Sequence, residues 1–596
     1  MRRTIVAIGD AGDERDLSKN MDKILENIKF ERDYTRKIKA FFRIGISILA
    51  FLLGWWGYIQ GHKGGLGPTD LIQYAYQAIQ LLTFNMPADA VRADLPWQLQ
   101  VARFALPGLA LYTTVGTYLD YARRPLRTFW SFRRKDHIIV VGGGEKALEV
   151  TRRCVAQGHS VVVIVPESTP AVDELNDLGV AVTVGAISSK TTFTRTGINH
   201  ARAVLILTGV DVTNLQAMLV AREAASQRSA IQPLLLACEV QDSELTAVLS
   251  ASFAEQRGGR IECHIIDFTD NVARQLVPRL APVLGASSIP HLLVVGGGDL
   301  ALHIIRKIIL NGPEGMRITV ATRDPEATAK VFYAPNPGLE NFQGLRFIEG
   351  EAGAGFASGA AVTDLLDEHR LDAALICTGD EAGIAAALSL CRGCSAREHP
   401  ALPIFVRQRA DRFLLEAARL TIRDANQAKV LFGFGDAAEE CSPDLLLRGT
   451  LDRLARHIHE AYLAKSPSES TSVSWENLPE TFRESCRRQA DHVCVKLAWL
   501  GLEASPGPGP VNLELTDETL ERLAAIEHWR WCVDRWLDGW IYGETKSESA
   551  RTSPYLVPYD MLSDEIKALD RDAVRNLPDL LARAGMTVRR VKAQSA

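Results

Sequence analysis

Apolar residues follow three patterns along this chain. Two long apolar segments lie near its start, at 44–61 and at about 96–118. From 137 to 445, short β-branched runs alternate with amphipathic stretches, which predicts α/β units with a parallel sheet. Beyond residue 446, apolar positions recur every three or four residues, which predicts a mainly α-helical domain. The chain of 596 residues is therefore predicted to be multidomain.

The two long apolar segments predict a membrane hairpin. Each is about as long as the shortest helix that crosses a bilayer, and Trp55, Trp56 and Tyr58 lie where interfacial aromatics are common. Basic residues precede the first segment (Arg36, Lys37, Lys39, Arg43) and follow the second in "YARRPLRTFWSFRRKD". The positive-inside rule then places both termini in the cytosol and the protein in the inner (plasma) membrane. A buried hairpin of a soluble protein is the alternative.

The connection between these segments has the layout of a pore loop. "PTDLIQYAYQAIQLLTF" predicts a helix from Asp70 to Phe84 that is too short to span a bilayer, and "NMP" then breaks it. Span, half-helix, turn and span is the order found in tetrameric cation channels. In that order the carbonyls around Thr83, Phe84, Asn85 and Met86 would face a monovalent cation. The alternative is an amphipathic helix lying on the outer membrane surface.

The stretch "LYTTVGTYLD" at 111–120 reads more like a potassium selectivity filter, but its position excludes that role. It is followed directly by the basic run, which is incompatible with the hydrocarbon region. We therefore assign it to the cytosolic end of the second span.

A dinucleotide-type glycine turn begins the α/β region. In "HIIVVGGGEKALEV", a strand is followed by Gly142, Gly144 and Ala147 in G-x-G-x-x-A spacing and by a helix. The first glycine permits the tight turn, and the second allows a pyrophosphate to approach. The next strand ends near Glu167, where a carboxylate would hold ribose hydroxyls.

The same pattern returns about 150 residues later, which indicates an internal duplication of a six-strand unit. "HLLVVGGGDLALHI" supplies Gly296 and Gly298, and the following strand ends with Arg323 and Asp324. Both copies, over about 137–445, resemble RCK (TrkA-N-like, Rossmann-type) domains that regulate potassium channels and transporters. That resemblance implies NAD(H) or another adenine nucleotide as a regulatory ligand. A scaffold that binds nothing, particularly in the second copy, and a dinucleotide-dependent oxidoreductase are the alternatives.

The residues beyond 446 include an aromatic-rich helix with two distinct faces. One face is predicted to be core: Trp529, Cys532, Val533 and Trp536. Another face combines charge with an indole that could stack a base: Glu527, Arg530, Trp531 and Asp534. A surface ion pair beside a half-buried tryptophan would give the same pattern.

This region, about 450–580, resembles the ryanodine-receptor-type (RyR) repeat domain. The residues that carry the resemblance are Glu527, His528, Trp531, Gly539, Trp540, Tyr542, Gly543, Pro554, Leu556, Pro558, Tyr559 and Leu562. It implies a small helical module that recognises a nucleotide-like ligand or a partner. We take as its candidate ligand site Glu527, His528, Arg530, Trp531, Trp540, Tyr542 and Tyr559.

Composition narrows the functional classes. The net charge of −5 gives no nucleic-acid signature, and Cys391 and Cys394 lack the second ligand pair of a zinc site, so we interpret them as packing residues. No catalytic constellation stands beside either glycine turn, so we expect no enzyme. The predicted parts are a cytosolic segment (1–36), a membrane hairpin with linker (37–136), two RCK-type domains (137–287 and 288–445) and an RyR-type domain (446–596).

Together these parts predict a nucleotide-sensing, ligand-gated cation channel that assembles as a homotetramer or a dimer of dimers. The rival interpretation is a membrane-anchored sensor or scaffold that does not conduct.

Overall fold

The computed structural model of the protein describes residues 45–591 except 63, 65, 84, 86–94, 130–133, 168–169, 227, 229–231, 243–244, 246–259, 287–288, 410–412, 423–424, 466–472, 476–477, 508–510, 512 and 514. The predicted cytosolic segment 1–36 and the basic residues before the first apolar segment lie outside this set.

Three helices form the N-terminal region: residues 45–61 (α1), Pro68–Gln80 (α2) and Trp97–Phe129 (α3). The predicted short helix is confirmed as α2, which continues into a 3₁₀ turn at Leu81–Thr83. Helix α3 runs on through the basic stretch to Phe129. The filter-like residues 113–116 are therefore helical.

Across the described part of the chain, no helix has both the length and the apolar character needed to cross a membrane. The two predicted spans are thus not supported by these helices.

Small residues bring α1, α2 and α3 together. A Cβ added at Gly57 would lie 2.8 Å from the backbone nitrogen of Leu99, so α1 and α3 touch at the backbone. Ala78, Leu81 and Ala102 are buried between the helices. The opposite faces leave large apolar side chains exposed: Ile46, Ile48, Leu49, Leu52, Trp56, Ile72, Tyr76, Ile79, Trp97, Val101, Phe104, Leu111 and Tyr112.

The first α/β domain is a six-stranded parallel sheet of order β3-β2-β1-β4-β5-β6. Its strands are Ile138–Val141 (β1), Val161–Val165 (β2), Ala181–Val184 (β3), Ala203–Ile206 (β4), Leu234–Glu239 (β5) and Ile261–Ile266 (β6). Its helices are Glu145–Ala156 (α4), Pro170–Asp177 (α5), Lys190–Arg195 (α6), Asp211–Ala224 (α7) and Phe268–Leu284 (α8). This doubly wound order places a crevice at the carboxyl ends of β1 and β4.

The second α/β domain has the same topology, with order β9-β8-β7-β10-β11-β12. Its strands are His291–Val295 (β7), Arg317–Thr322 (β8), Leu345–Glu349 (β9), Ala373–Ile376 (β10), Ile404–Arg407 (β11) and Leu431–Phe434 (β12). Its helices are Asp299–Asn311 (α9), Pro325–Tyr333 (α10), Ala360–Glu368 (α11), Asp380–Ala396 (α12), Phe413–Thr421 (α13) and Ala425–Lys429 (α14). The predicted duplication is confirmed at the level of the fold.

Each α/β domain packs the segment after its last strand onto the other domain. Helix α8 follows β6, yet its apolar face lies in the core of the second domain with β7 and α9. After β12, Ala437–Glu440 (α15) and Pro443–Arg448 (α16) return to the first domain, where Cys441 and Leu446 are buried. The two domains are therefore interlocked rather than joined by a simple linker.

The C-terminal domain is mainly helical, as predicted. Its helices are Arg453–Lys465 (α17), Glu480–Asp491 (α18), Val493–Trp499 (α19), Asp517–Leu537 (α20), Asp564–Arg575 (α21) and Leu577–Arg583 (α22). Strands Leu502–Pro506 (β13) and Met586–Arg590 (β16) pair antiparallel, while Ile541–Tyr542 (β14) and Thr552–Ser553 (β15) form a short parallel pair. Thr516 caps α20 by accepting a hydrogen bond from the Thr519 backbone N–H.

Candidate functional site

The first glycine turn connects β1 to α4 at the sheet's switch point. Gly142 has φ of +133°, and a Cβ there would collide with the carbonyl oxygen of Leu207, so only glycine fits. Gly144 caps α4 with extended backbone, and the space beside its Cα is open. Glu167 follows β2 and is exposed at the same edge. These three predicted residues thus line one edge of the sheet, with a helix N-terminus that favours an anion.

Polar side chains on the β4 side of the switch point bind one another. Asn214 is buried and accepts hydrogen bonds from the backbone N–H and the hydroxyl of Thr208, at 2.9 and 2.7 Å. Lys146, on the first turn of α4, binds the buried carboxylate of Glu239 at 2.5 Å. This pair fixes the first turn of α4 to the end of β5.

The second glycine turn repeats this backbone geometry. Gly296 has φ of +120°, and Gly298 caps α9. A Cβ at Gly297 would lie 2.5 Å from the hydroxyl of Thr322, so the turn passes close to the end of β8. Asp299 occupies the first helical position, where its carboxylate lies 3.3 Å from the His303 ring. The helix terminus therefore already carries one negative charge.

After the end of β8, Asp324 makes a contact that the sequence-based prediction does not include. Its carboxylate accepts a hydrogen bond from the Ala327 backbone N–H at 2.9 Å and caps α10, so it does not stand free for ribose hydroxyls. Asp before the "PEA" run is a helix cap by composition, a signal that competes with the ribose interpretation. Arg323 points outward and pairs with Glu351.

Glu527 and Arg530 form part of a buried ion network rather than a ligand-facing surface. Both residues are at most 4% exposed. Glu527 binds Lys496 at 2.5 Å and Arg530 at 3.0 Å. Burial opposes ionisation of Glu527, but Arg530 and Lys496 override it and hold its pKa well below the usual value. The prediction that these two side chains grip a ligand's polar edges conflicts with this placement, because their charges are neutralised within the protein.

His528, Trp531 and Tyr559 are brought together as an aromatic cluster. The rings of His528 and Trp531 stack with centroids 5.7 Å apart, and Tyr559 lies 5.9 Å from His528. Burial favours the neutral imidazole, but the carboxylate of Asp570, 3.3 Å away, raises the pKa of His528 to about 10. A charged imidazolium therefore lies behind a half-buried indole.

The remaining predicted residues of this site lie around that cluster. Trp540 is buried with Cys532 and Leu556 and acts as core. Tyr542 is exposed on β14. The hydroxyl of Tyr559 donates to Glu521, which in turn binds Arg571 through two hydrogen bonds. The accessible part of the candidate site is thus Trp531, Tyr542, Tyr559 and their charged neighbours.

A buried junction joins the C-terminal domain to the second α/β domain, and sequence reasoning did not find it. Arg274 of α8 is 4% exposed and binds Asp452 at 2.8 Å and Asp491 at 3.0 Å. Lys307 of α9 binds Asp270 at 2.8 Å and Glu484 at 3.5 Å. Residues up to 217 positions apart make these pairs, so no local spacing could reveal them.

Apolar packing reinforces the junction. Val495 and Val533 are buried in the same core as β7, α8 and α9, with Trp529 and Trp536 packed against them. A Cβ at Gly285 would lie 2.8 Å from the carbonyl oxygen of Val495. The predicted core face of α20 is thus confirmed, and most of it contacts the neighbouring α/β domain.

Of the predicted pore residues, the structure describes Thr83 and Asn85, and Phe84 and Met86 lie outside the described set. Thr83 donates its hydroxyl to the Gln80 carbonyl at 2.9 Å, and the Asn85 backbone N–H donates to the same carbonyl at 3.3 Å. Both residues are exposed at the end of the α2 segment.

Cys391 and Cys394 lie buried on α12, as packing residues would. Burial raises the pKa of both thiols. Among the described residues, no cluster of histidine, cysteine and carboxylate side chains has the arrangement of a metal site.

Two domain families match this sequence. A TrkA-N domain model matches residues 138–255, and an RyR domain model matches residues 510–590.

Three solved structures are similar over much of the chain. The GsuK channel bound to NAD shares 10% identity, covering 84% of this chain and 91% of its own, with a TM-score of 0.36. GsuK bound to ADP (12%, 69% and 97%, 0.36) and the GsuK channel (13%, 69% and 97%, 0.35) are similar to the same degree. Such TM-scores do not establish a shared domain arrangement. The TrkA-N match lies in the first α/β domain, and the RyR match lies in the helical domain that follows the second.

Proposed function

We propose that this protein is a nucleotide-sensing, ligand-gated, cation-channel-like membrane protein of the inner membrane. Its RCK-type and RyR-type domains would lie in the cytosol and control a pore built from the N-terminal helices. The observation that carries the proposal is the buried junction around Arg274, which ties the RyR-type domain to the α/β tandem through ion pairs and a shared core. A ligand bound to either part can then bias the arrangement of the other.

One feature of the N-terminal helices favours the pore half of the proposal, although no described helix is long and apolar enough to cross a membrane. Their outward faces carry large exposed apolar side chains, such as Ile72 at 73% and Phe104 at 66%, which suit a lipid or intersubunit environment. One hairpin with one short helix cannot enclose a channel, so we expect a homotetramer or a dimer of dimers.

A direct route links these helices to the nucleotide-type domains. Helix α3 lies against β3, the edge strand of the first sheet. Arg134, a few residues beyond α3, donates hydrogen bonds to the Ser160 hydroxyl and the Val161 carbonyl at 3.2 and 3.0 Å. A change in the first α/β domain would therefore act on α3 through the contact between α3 and β3.

The test is ion flux from liposomes that hold the full-length protein, with potassium or sodium inside. NAD, NADH, ADP and cyclic nucleotides would be added in turn. We expect ligand-dependent flux whose selectivity changes in Asn85→Ala. Gln73→Ala, an exposed change on the first turns of α2, is the matched control and should leave selectivity unaltered.

Other outcomes point to the rival functions. Nucleotide binding without any flux would replace the channel by a non-conducting membrane sensor. Turnover of bound NAD(H) would indicate an oxidoreductase instead. Absence of both binding and flux would overturn the nucleotide-sensing proposal itself.

A further inference from the structure

The two α/β domains present opposite charges where a dinucleotide's adenosine ribose would lie. In doubly wound folds, an acid after the second strand holds the ribose hydroxyls, whereas an arginine near that position accommodates a 2′-phosphate. The first domain has Glu167 after β2. The second has Arg323 directly after β8, with the neighbouring Asp324 engaged as a helix cap.

Arg323 is placed next to the second glycine turn. The Gly296 backbone N–H donates to the Ala321 carbonyl at 2.8 Å, two residues before Arg323. Thr322 meets the turn directly, since its hydroxyl would lie 2.5 Å from a Cβ at Gly297. Arg323, which carries the guanidinium, therefore directly follows Thr322, the residue that contacts the glycine turn.

The guanidinium is accessible and easily redirected. Its side chain is 80% exposed, and that of its partner Glu351 is 64% exposed. An ion pair this exposed contributes little stability, so a phosphate can replace the carboxylate at small cost. Arginine binds phosphate oxygens through two parallel N–H donors, which makes such an exchange favourable.

A second polar group on the opposite side of the turn has lost its protein partner. The Thr378 hydroxyl, at the end of β10, is buried and makes no hydrogen bond within the described structure. Its counterpart Thr208 donates to Asn214, the fourth residue of α7, but the fourth residue of α12 is Gly383, which has no side chain to accept a hydrogen bond. A buried hydroxyl without a partner is costly unless a ligand supplies one.

Asp299 opposes an anionic ligand at this turn. Its carboxylate is partly balanced by His303 at 3.3 Å, and the Arg306 charge also helps to hold its pKa below the usual value. The site therefore gains most of its attraction for phosphate from Arg323, away from the helix terminus.

We propose that the second α/β domain selects an adenine dinucleotide with a 2′-phosphate, of the NADP type, through Arg323. The first domain selects an unphosphorylated ribose through Glu167. This inference rests on the proposed nucleotide-sensing function, and it assigns different ligands to two domains of the same fold.

The experiment measures binding of NADP⁺ and NAD⁺ to the full-length protein by titration calorimetry. Arg323→Ala should weaken NADP⁺ binding by about 10- to 100-fold and leave NAD⁺ binding unchanged. Glu351→Gln, which releases the guanidinium, should tighten NADP⁺ binding. Arg317→Ala is the matched control, because Arg317 is an exposed arginine at the other end of β8.

The outcomes separate this inference from the proposed function. NADP⁺ binding that is unaffected by Arg323→Ala, or equally reduced by Arg317→Ala, would overturn the assignment. Binding of NAD⁺ alone would also overturn it while preserving nucleotide sensing. Failure of both dinucleotides to bind would count against the assignment and the proposed function together.

Discussion

The two α/β domains share a topology and a glycine turn but differ in what surrounds them. In the first, the hydroxyl after β4 is satisfied by Asn214 and the strand-end carboxylate is open. In the second, the Thr378 hydroxyl makes no hydrogen bond with any described residue, and the strand end carries Arg323. The backbone frame has been kept in both copies, while the side chains that would recognise a ligand have diverged. Similar folds therefore need not imply similar ligands.

The neighbours of the two domains differ as well. The first domain contacts the N-terminal helices through α3 and β3. The second holds the C-terminal domain through α8 and α9. The tandem thus stands between a candidate pore and a candidate receptor, and each copy faces one of them. The junction between the second α/β domain and the C-terminal domain is the contact that single substitutions can test most directly.

Removal of Arg274 should cause the largest loss of stability, because it weakens the junction between the second α/β domain and the C-terminal domain. Arg274→Met removes the main partner of the largely buried Asp491 and one of the two arginines that bind Asp452, and breaking such a pair costs about 3–5 kcal/mol. We expect the C-terminal domain to separate from the tandem at lower urea concentration, with a change in fluorescence from Trp529 and Trp536. The matched control is Lys190→Ala, which breaks an exposed pair with Glu223 and should change the midpoint very little. An unchanged midpoint in Arg274→Met would show that the apolar core alone holds the junction.

Alanine substitution in the two glycine turns should destabilise the two α/β domains to different degrees. Alanine at either first glycine is strained because φ is positive, but at Gly142 the new Cβ also collides with a backbone carbonyl. At Gly296 the nearest atom is the Thr378 methyl carbon, 3.2 Å away, which has more freedom to move. We expect Gly142→Ala to cost about 2–4 kcal/mol and Gly296→Ala about 1–2 kcal/mol.

Urea denaturation with hydrogen-exchange readout of β1 and β7 would measure each domain separately. The Gly144→Ala variant serves as the control, because its backbone is extended and the space around it is open. Equal losses for Gly142→Ala and Gly296→Ala would contradict the role of the Leu207 carbonyl.

The sequence was sufficient to predict the sheets and their glycine turns, because β-branched runs and glycine spacing are local signals. It was not sufficient for the environment of α20. Trp529 and Val533 were predicted as core, and Glu527 and Arg530 were placed on a separate face with access to a ligand. The structure buries Glu527, Arg530 and Asp534. Two residues from distant segments supply the opposite charges, because Lys496 binds Glu527 and Arg488 binds Asp534. The residue pattern of a polar helical face is the same whether that face contacts water or a charged side chain from a distant segment.

The ribose-binding role of Asp324 stays a prediction, and a local feature competes with it. Asp324 follows the end of β8, where a carboxylate could bind ribose hydroxyls. The same residue also caps α10, and its carboxylate accepts a hydrogen bond from the Ala327 backbone N–H. The pore residues Thr83, Phe84, Asn85 and Met86 remain a prediction, as does the ligand role of Trp531 and Tyr559.

A matched pair of buried histidines offers the finest comparison of the two copies. His137 and His291 precede or begin the first strand of each domain and are 0% and 3% exposed. Nε2 of His137 donates to the Thr196 carbonyl at 2.7 Å, and Nε2 of His291 lies 2.9 Å from the Thr319 hydroxyl. In both rings Nδ1 is buried and makes no hydrogen bond that meets the usual geometry with a described residue.

Burial therefore lowers the pKa of both imidazoles, to about 4 for His291. A depressed folded-state pKa gives stability that is fully present above the unfolded pKa of about 6.5 and is lost as the pH falls toward 4. Between pH 7 and pH 5 we expect the second domain to lose about 1–2 kcal/mol through His291. His291→Phe should reduce this loss in exchange of β7 amides but not of β1 amides, and His137→Phe should do the reverse. His457→Asn, in the C-terminal domain, is the control. If either buried variant flattened the pH dependence of both domains equally, the interlocked helices would make the tandem unfold as one unit.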